Sequence, residues 1–419
     1  MDIALSNVLA IDFGTSNSAV AVFDNGVIKR LQMEDGSDTL PTAIFFDFST
    51  GETRIGTPAN DLLMSGAEGR YMRSLKRVLG TSLMREKRPL MGKYINFFDI
   101  IGGFLSELKI RAERIEGRTF PYALSGRPVR FHDDPKKDRQ AEADLRECYR
   151  RAGFHEVEFM FEPEAASLAN NVLDKDFSLG LIVDIGGGTS DFSVFRSNPH
   201  AEQPVEILAS YGERFGGTDF DKTLNVQHFM PLLGRGAALR RVFGSGTAST
   251  PAGLYNDLAT WEKIPFMYTP ETLRIARDLE RHALDRAPFK RLIDVMEYEL
   301  AHELSMLAEK SKIATNQAAE AFTVDLGVIE KGVEISINPD DLDAMMANHH
   351  SRIIDAVSQT LTLATCKPDE ITDVVFVGGS SLMGFVIDAL TKTFPKSDFH
   401  TSAVFTAVVD GLALATARS

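Results

Sequence analysis

Residues 180–195 read Gly-Leu-Ile-Val-Asp-Ile-Gly-Gly-Gly-Thr-Ser-Asp-Phe-Ser-Val-Phe, and residues 8–23 read Val-Leu-Ala-Ile-Asp-Phe-Gly-Thr-Ser-Asn-Ser-Ala-Val-Ala-Val-Phe. Each copy is an apolar strand ending in Asp, a glycine turn with a hydroxyl residue, and a second apolar strand. That is the pattern of a β-hairpin whose polar residues gather at the turn. Two copies so far apart predict two similar lobes, each lending one loop to a shared cleft.

The second copy carries the clearer chemistry. Glycines without Cβ let several backbone N–H groups face one anion, and the Thr189 hydroxyl adds a donor. Asp184 cannot hold a phosphate directly, because like charges repel. It suits a divalent cation held through water, since magnesium keeps its hydration shell. The same residues would also serve as a plain hairpin turn with no ligand. The run is not a dinucleotide fingerprint, because Asp191 stands where the last glycine belongs, and it has no Gly-Lys-Ser/Thr. Asp12-Phe13-Gly14-Thr15-Ser16-Asn17 repeats the parts, and Gly216-Gly217-Thr218-Asp219 and Gly378-Gly379-Ser380 add two glycine turns. Together they describe a nucleotide held between lobes.

The whole chain agrees with that size of object. Its 419 residues and 46.2 kDa suit two or three lobes. Forty-five Lys and Arg against 59 Asp and Glu give a net charge of −14, which disfavours nonspecific binding to nucleic acid or an anionic membrane. Cys148 and Cys366 cannot form a disulfide framework, and both read as buried small hydrophobes. No apolar run approaches the length of a membrane span. Met1 to Ser6 lacks a basic stretch and a cleavage site, so a cytoplasmic protein is expected.

Strands alternate with helical stretches. Residues 139–152 and 293–313 have helical periodicity, the second reading as one amphipathic helix. Asp373 to Leu382 reads as a buried strand entering a glycine turn, followed by a helix from about Gly384. Gly234 to Gly253 is rich in Gly, Ser, Thr and Arg and reads as loop. His302-Glu303 lacks the second histidine of a zinc protease and reads as a helix-surface pair, and His349-His350 as solvated.

The order of motifs resembles the actin-like ATPase superfamily, and within it the ATPase domain of the heat-shock-seventy (DnaK-type) chaperones. The matching pieces are Ile11 to Ser18, Thr39-Leu40-Pro41-Thr42, Leu75 to Gly80 and Phe161 to Ala166, then Val183 to Asp191, Phe215 to Asp221, Ala308 to Ile313 and Val374 to Ser381. Eight segments in family order span nearly the whole chain. The resemblance implies an α/β, two-lobed actin-like ATPase fold built from duplicated ribonuclease H-like domains. Lobe I would cover residues 1–178 with a returning segment at about 400–419. Lobe II would cover 179–399, with a divergent subdomain at about 220–305.

The resemblance also implies roles. Gly14, Thr15, Ser16 and Asn17 would form the first phosphate loop, and Gly186, Gly187, Gly188 and Thr189 the second, with Gly216 and Gly217 beside the nucleotide. Asp12 and Asp184 would orient hydrated Mg²⁺. Lys76 matches the family's catalytic lysine, Glu162 the acid that positions the attacking water, Thr189 the hydroxyl beside it, and Asp191 an acid placing metal or water. Glu309 and Lys312 match the ribose pair, one helical turn apart, with Ile313 beside them. Gly378, Gly379, Ser380 and Leu382 would lie against adenine and the α-phosphate. The cofactors implied are ATP or ADP with Mg²⁺, and a protein partner is unidentified.

The departures count too. Leu382 stands where the family has an arginine stacked on adenine, Thr218 replaces an acid, and the family's acidic C-terminal motif becomes Ser402-Ala403-Val404-Phe405. Residues 223–300 align poorly. A peptide-binding domain and lid are not expected within these residues, and the pattern resembles the shortened bacterial relatives called YegD-like. The expected function is a chaperone-like protein that binds ATP, hydrolyses it slowly and closes its lobes. Two alternatives are a nucleotide-gated scaffold with negligible turnover and a small-molecule kinase of the same superfamily.

Leu382 gives a direct test. Leucine packs on a base but lacks the cation–π attraction of arginine, worth roughly 0.5–2 kcal/mol. Leu382→Arg should tighten ATP and ADP by up to about tenfold per 1.4 kcal/mol regained, read by titration calorimetry. Equal affinities would mean that residue 382 does not face the base.

Overall fold

The near-continuous apolar runs of the two hairpins, buried on both faces, lie at the centre of two sheets that share one five-strand order. The computed structural model describes residues 7–132, 134–169, 179–197, 205–241, 245–401 and 406–417. The first sheet contains β1 (Val8–Phe13), β2 (Asn17–Asp24), β3 (Val27–Arg30), β4 (Tyr122–Arg127) and β5 (Glu156–Phe161), in the order β5-β4-β1-β2-β3. β1 to β3 form an antiparallel meander, and β4 and β5 run parallel to β1. The second contains β6 (Leu179–Ile185), β7 (Ser190–Ser197), β8 (Val205–Glu213), β9 (Asp373–Val377) and β10 (Asp398–His400), in the order β8-β7-β6-β9-β10. Again three strands are antiparallel and two are parallel to the first. This is the duplicated α/β arrangement expected from the repeat. The parallel pairs need crossovers, and helices supply them. Phe97–Glu116 and Pro135–Arg151 serve the first sheet, and Gly384–Thr393 joins β9 to β10.

Local chemistry sets the helix ends. Asn96 and Asp99 form a reciprocal capping box at the start of Phe97–Glu116, and Gly117, at φ 66°, ends it in the left-handed conformation that glycine tolerates. Asp134 caps Pro135–Arg151 by accepting from the N–H groups of Lys136 and Lys137.

Two small-residue helices lie in the core that the sheets share. Glu162–Ala169 directly follows β5 and touches β6, β7 and β8, while Ala407–Thr416 packs on β1, β2 and β4. Ala165, Ala166, Ala407, Val408, Val409 and Leu412 are buried with Ala10, Ala19 and Ala21 of the first sheet and Ile182 and Val375 of the second. Alanine and glycine let these helices approach closely. A Cβ on Gly411 would stand 1.7 Å from the Ala165 carbonyl oxygen. The larger apolar side chains, among them Phe13, Phe104, Phe120 and Leu145, pack on the other face of the first sheet.

By its internal contacts the chain divides into Met1–Gly217 with Arg352–Ser419, and Thr218–Ser351. The second unit is mostly helical, with Phe229, Tyr255, Phe289, Leu292 and Leu304 in its core. Several expectations change there. The helix read over 293–313 is two helices, Ala287–Glu297 and Ala301–Gln317, because Glu299 turns left-handed at φ 58°. The Tyr268 hydroxyl bridges the break, donating to the Glu299 carbonyl (2.8 Å) and accepting from the Ala301 N–H (3.1 Å). His302 is buried against Trp261, with ring centroids 5.7 Å apart, and is no surface residue. The His349 Nε2 pairs with the Thr223 hydroxyl at 2.9 Å, so only His350 of that pair is fully exposed. The supposed loop includes a short hairpin, Ala238–Arg240 with Thr247–Ser249. In the first unit Cys366 is half-exposed, whereas Cys148 is buried as expected. Ser402 to Phe405 lie outside the described residues.

The helix contact predicts opposite outcomes for two helical glycines. Gly411→Ala forces backbone against backbone and should cost about 1–3 kcal/mol in urea unfolding. Gly103→Ala, where a Cβ would meet nothing within 4 Å, should be neutral or stabilise by about 0.5–1 kcal/mol. Equal effects would show that the helix approach does not limit stability.

Candidate functional site

The two hairpin turns meet. A Cβ on Gly187 would lie 2.1 Å from the Ser16 hydroxyl oxygen, and one on Gly188 would lie 2.9 Å from the Thr15 hydroxyl oxygen. The glycines of the second loop are therefore required by the first loop as well as by any ligand. The other glycine turns close on the same place. The Gly217 N–H donates to the Gly186 carbonyl at 2.9 Å, and a Cβ on Gly216 would stand 2.8 Å from the Gly188 nitrogen. Gly378, left-handed at φ 73°, lies so near β6 that a Cβ would stand 2.5 Å from the Ile185 carbonyl and 3.0 Å from the Asp184 carboxylate. Gly379, Ser380 and Leu382 follow it in a short 3₁₀ turn. The Thr39-Leu40-Pro41-Thr42 stretch supports the first loop. The Thr42 N–H donates to the Ser16 carbonyl, and its hydroxyl pairs with that of Ser18 at 2.7 Å.

The hairpin registers are equivalent. Asp12 pairs with Ala19, and Asp184 with Asp191. Only the second hairpin sets two acids directly opposite each other, a destabilising arrangement of like charges. The Lys76 Nζ lies 2.5 Å from Glu162 Oε1, with both side chains buried. Lys76 sits on the 3₁₀ turn Leu75–Val78 and Glu162 at the first position of its helix. A solvated surface lysine is thereby excluded.

Electrostatics joins these groups into one cluster. Loss of hydration, then the charge of Glu162, pushes the Asp12 carboxyl up to about 7, with Lys76 opposing. Asp184 and Asp191 are raised well above the usual carboxylate range, again by burial first and Glu162 second. Burial alone would lower the Lys76 pKa; Glu162 and Asp12 outweigh it and hold the ammonium charged. Lys76 is the cation common to all three shifted carboxyls, so acidic groups outnumber it. Asp191 Oδ1 accepts from the Val129 N–H at 3.0 Å, while its buried Oδ2 has no hydrogen-bond partner among the described residues.

Thus Asp12, Gly14 to Asn17, Lys76, Glu162, Asp184, Gly186 to Thr189, Asp191, Gly216, Gly217 and Gly378 to Leu382 all belong to one unit. Glu309, Lys312 and Ile313 lie on Ala301–Gln317 in the other. There the Lys312 ammonium is buried in an ion pair with Asp221 at 2.7 Å, and Ile313 is exposed. Sequence reasoning missed His132, Asp144 and Arg214, which brace the Lys76 turn. Nothing in their local sequence marks them.

A five-strand order used twice, extended in the first sheet by the short strand Leu40–Pro41 and led in each copy by an acid-ended hairpin, defines the actin-like α/β class. The Hsp70 protein family matches residues 8–237 and 276–417. The chain belongs to the Hsp70 family and is a chaperone-type, nucleotide-binding protein. The unmatched stretch, 238–275, falls within the region that reads as divergent in sequence.

The raised Asp12 pKa sets a pH dependence. With a folded value of about 7 against a reference of 3.8, the folded protein keeps a proton that the unfolded chain releases. This contribution is full below the unfolded value and is lost as pH rises through the folded one. Melting temperatures of the metal- and nucleotide-free protein between pH 8 and 5 should therefore rise less on acidification in Asp12→Asn than in wild type. Parallel curves would exclude Asp12 as the source.

Proposed function

We propose that this protein binds ATP or ADP with Mg²⁺ at the meeting of its two glycine loops and hydrolyses ATP slowly. The observation that carries the reading is the buried Lys76–Glu162 pair beside those loops. Phosphoryl transfer to water asks little covalent chemistry of a protein, so catalysis is charge neutralisation and positioning. In this reading, N–H groups of Gly14 to Asn17 and Gly186 to Thr189 hold phosphate oxygens. Lys76 faces the γ-phosphate and the attacking water, and Glu162 orients that water and accepts its proton. Thr189 donates beside it.

The acid cluster fits a divalent cation. Three carboxyls with raised pKa values and an unpartnered Asp191 oxygen are what a missing positive charge leaves behind. Among the described residues no three metal-type side chains converge tightly enough to cage an ion. Asp12 and Asp184 would hold Mg²⁺ largely through water, and the ion would supply charge neutralisation of the phosphates. Glu309, Lys312 and Ile313 are proposed for the ribose, and Gly378 to Leu382 for the base. No described helix is long and apolar enough to cross a membrane. A protein partner and a cytoplasmic location belong to the proposal.

Two measurements test it. Mg·ATP or Mg·ADP should raise the melting temperature, by about 2.7 kcal/mol of stabilisation at one hundred times the Kd. Lys76→Ala should keep nucleotide binding and cut phosphate release by on the order of 10²–10³-fold, with Glu162→Gln similar. No melting shift at millimolar nucleotide would count against the whole reading. Binding without magnesium-dependent hydrolysis would favour the scaffold alternative.

A further inference from the structure

The turn that carries Lys76 is held by side chains from outside it. Ser74 is left-handed at φ 58°, and only the short Leu75–Val78 turn follows before Gly80, itself at φ 74°. On the far side of Lys76, the Arg77 carbonyl accepts from the Arg214 Nη2. The Leu79 carbonyl lies 2.9 Å from the His132 Nε2, and the Gly80 N–H donates to Asp144 at 3.0 Å. Arg214 then closes a ring, its Nη1 lying 3.1 Å from the His132 Nδ1. Arg214 immediately follows β8, and His132 lies between β4 and the helix Pro135–Arg151. Two distant parts of the chain thus grip the carbonyls of Arg77 and Leu79, which follow the lysine in its turn.

These partners fix the state of the ring. A carbonyl at Nε2 requires that nitrogen to donate, and a guanidinium at Nδ1 requires that one to accept. Only neutral imidazole does both. A protonated ring would set an N–H and a positive charge against Arg214. We propose that His132 and Arg214 are positioning residues for ATP hydrolysis, holding the Lys76 turn within reach of Glu162, and that protonation of His132 releases the grip. This rests on Lys76 and Glu162 being the hydrolytic pair.

The surroundings agree. Asp138, on Pro135–Arg151, accepts the Phe131 and His132 N–H groups at 2.6 and 3.3 Å, and Arg127 of β4 lies 3.6 Å from its other oxygen. From the 74–81 turn His132 meets the Leu79 carbonyl and the Gly80 backbone, and from Pro135–Arg151 also the charge of Lys137. Burial lowers the His132 pKa most; Arg214 and Lys137 lower it too, against the Leu79 hydrogen bond and Asp138. A lowered folded pKa means stability that is present above the unfolded value of about 6.5 and lost as pH falls through the folded one.

Asparagine separates geometry from titration, because its amide donates and accepts but does not ionise near neutrality. At pH 7.5, His132→Leu should lower kcat for phosphate release by roughly 10- to 100-fold, with KM for ATP changed less than about threefold, as misplacing a catalytic group does. His132→Asn should restore kcat to within about threefold of wild type. Arg214→Gln, which cannot reach both partners, should resemble the leucine variant, and it tests the grip if His132→Leu fails to fold. On acidification from pH 7.5 to 5 the melting temperature should change more favourably in His132→Asn than in wild type, because the variant has no His132 contribution to lose. Hydrolysis that depends on Lys76 but not on His132 or Arg214 would overturn the positioning role alone. Superimposed pH–melting curves would overturn the release on protonation. Absence of hydrolysis in wild type would remove the hydrolytic reading and the positioning role with it.

Discussion

A lysine and a glutamate, buried together at 2.5 Å, set the terms for the rest of the molecule. Removing two such charges from water costs several kcal/mol per ion, and a hydrophobic pair of similar volume would often be as stable. Here the pair also sits among three carboxyls that prefer to keep their protons. So costly an arrangement is not explained by stability alone. It also requires rigid support, because neither residue can find an alternative partner in water.

That support comes from duplication. Each sheet ends its first strand in an acid and turns on glycine, and the two turns touch through Ser16 and Gly187. Beneath them, Glu162–Ala169 and Ala407–Thr416 fill the space between the sheets with alanine, glycine and valine, so that Gly411 can reach the Ala165 backbone. Glu162 is the first residue of one of these helices. The packing that joins the sheets therefore also aims the acid. The Lys76 turn is anchored in the core by Leu75, Val78 and Leu79 and receives hydrogen bonds from, or donates them to, His132, Asp144 and Arg214.

The equivalence of the sheets also shows where they differ. Ala19 and Asp191 hold the same register position, but only Asp191 brings a second acid opposite the first. The resulting crowding of acids lies on the side of the second hairpin and, with burial, favours their protonated forms.

Sequence by itself determined the parts whose physics is local. An apolar strand ending in Asp-x-Gly and followed by a second apolar strand fixes a hairpin within sixteen residues, so both hairpins, their glycine loops and the two acids were legible. The buried Asp373 strand and the helix from Gly384 were legible for the same reason. The single helix read over 293–313 failed because the break at Glu299 is bridged by Tyr268, some thirty residues earlier in the chain. Periodicity cannot sense a hydroxyl from another segment. Without its flanking motif Lys76, in the basic stretch Arg70 to Arg77, reads as solvated surface, and only tertiary packing buried it. His132 and Arg214 carried no signal, because a side chain that holds another segment's carbonyls leaves no pattern in its own neighbourhood. Covalent spacing decided which residues form the loops; the close approach of distant backbones decided which charged groups are buried beside them.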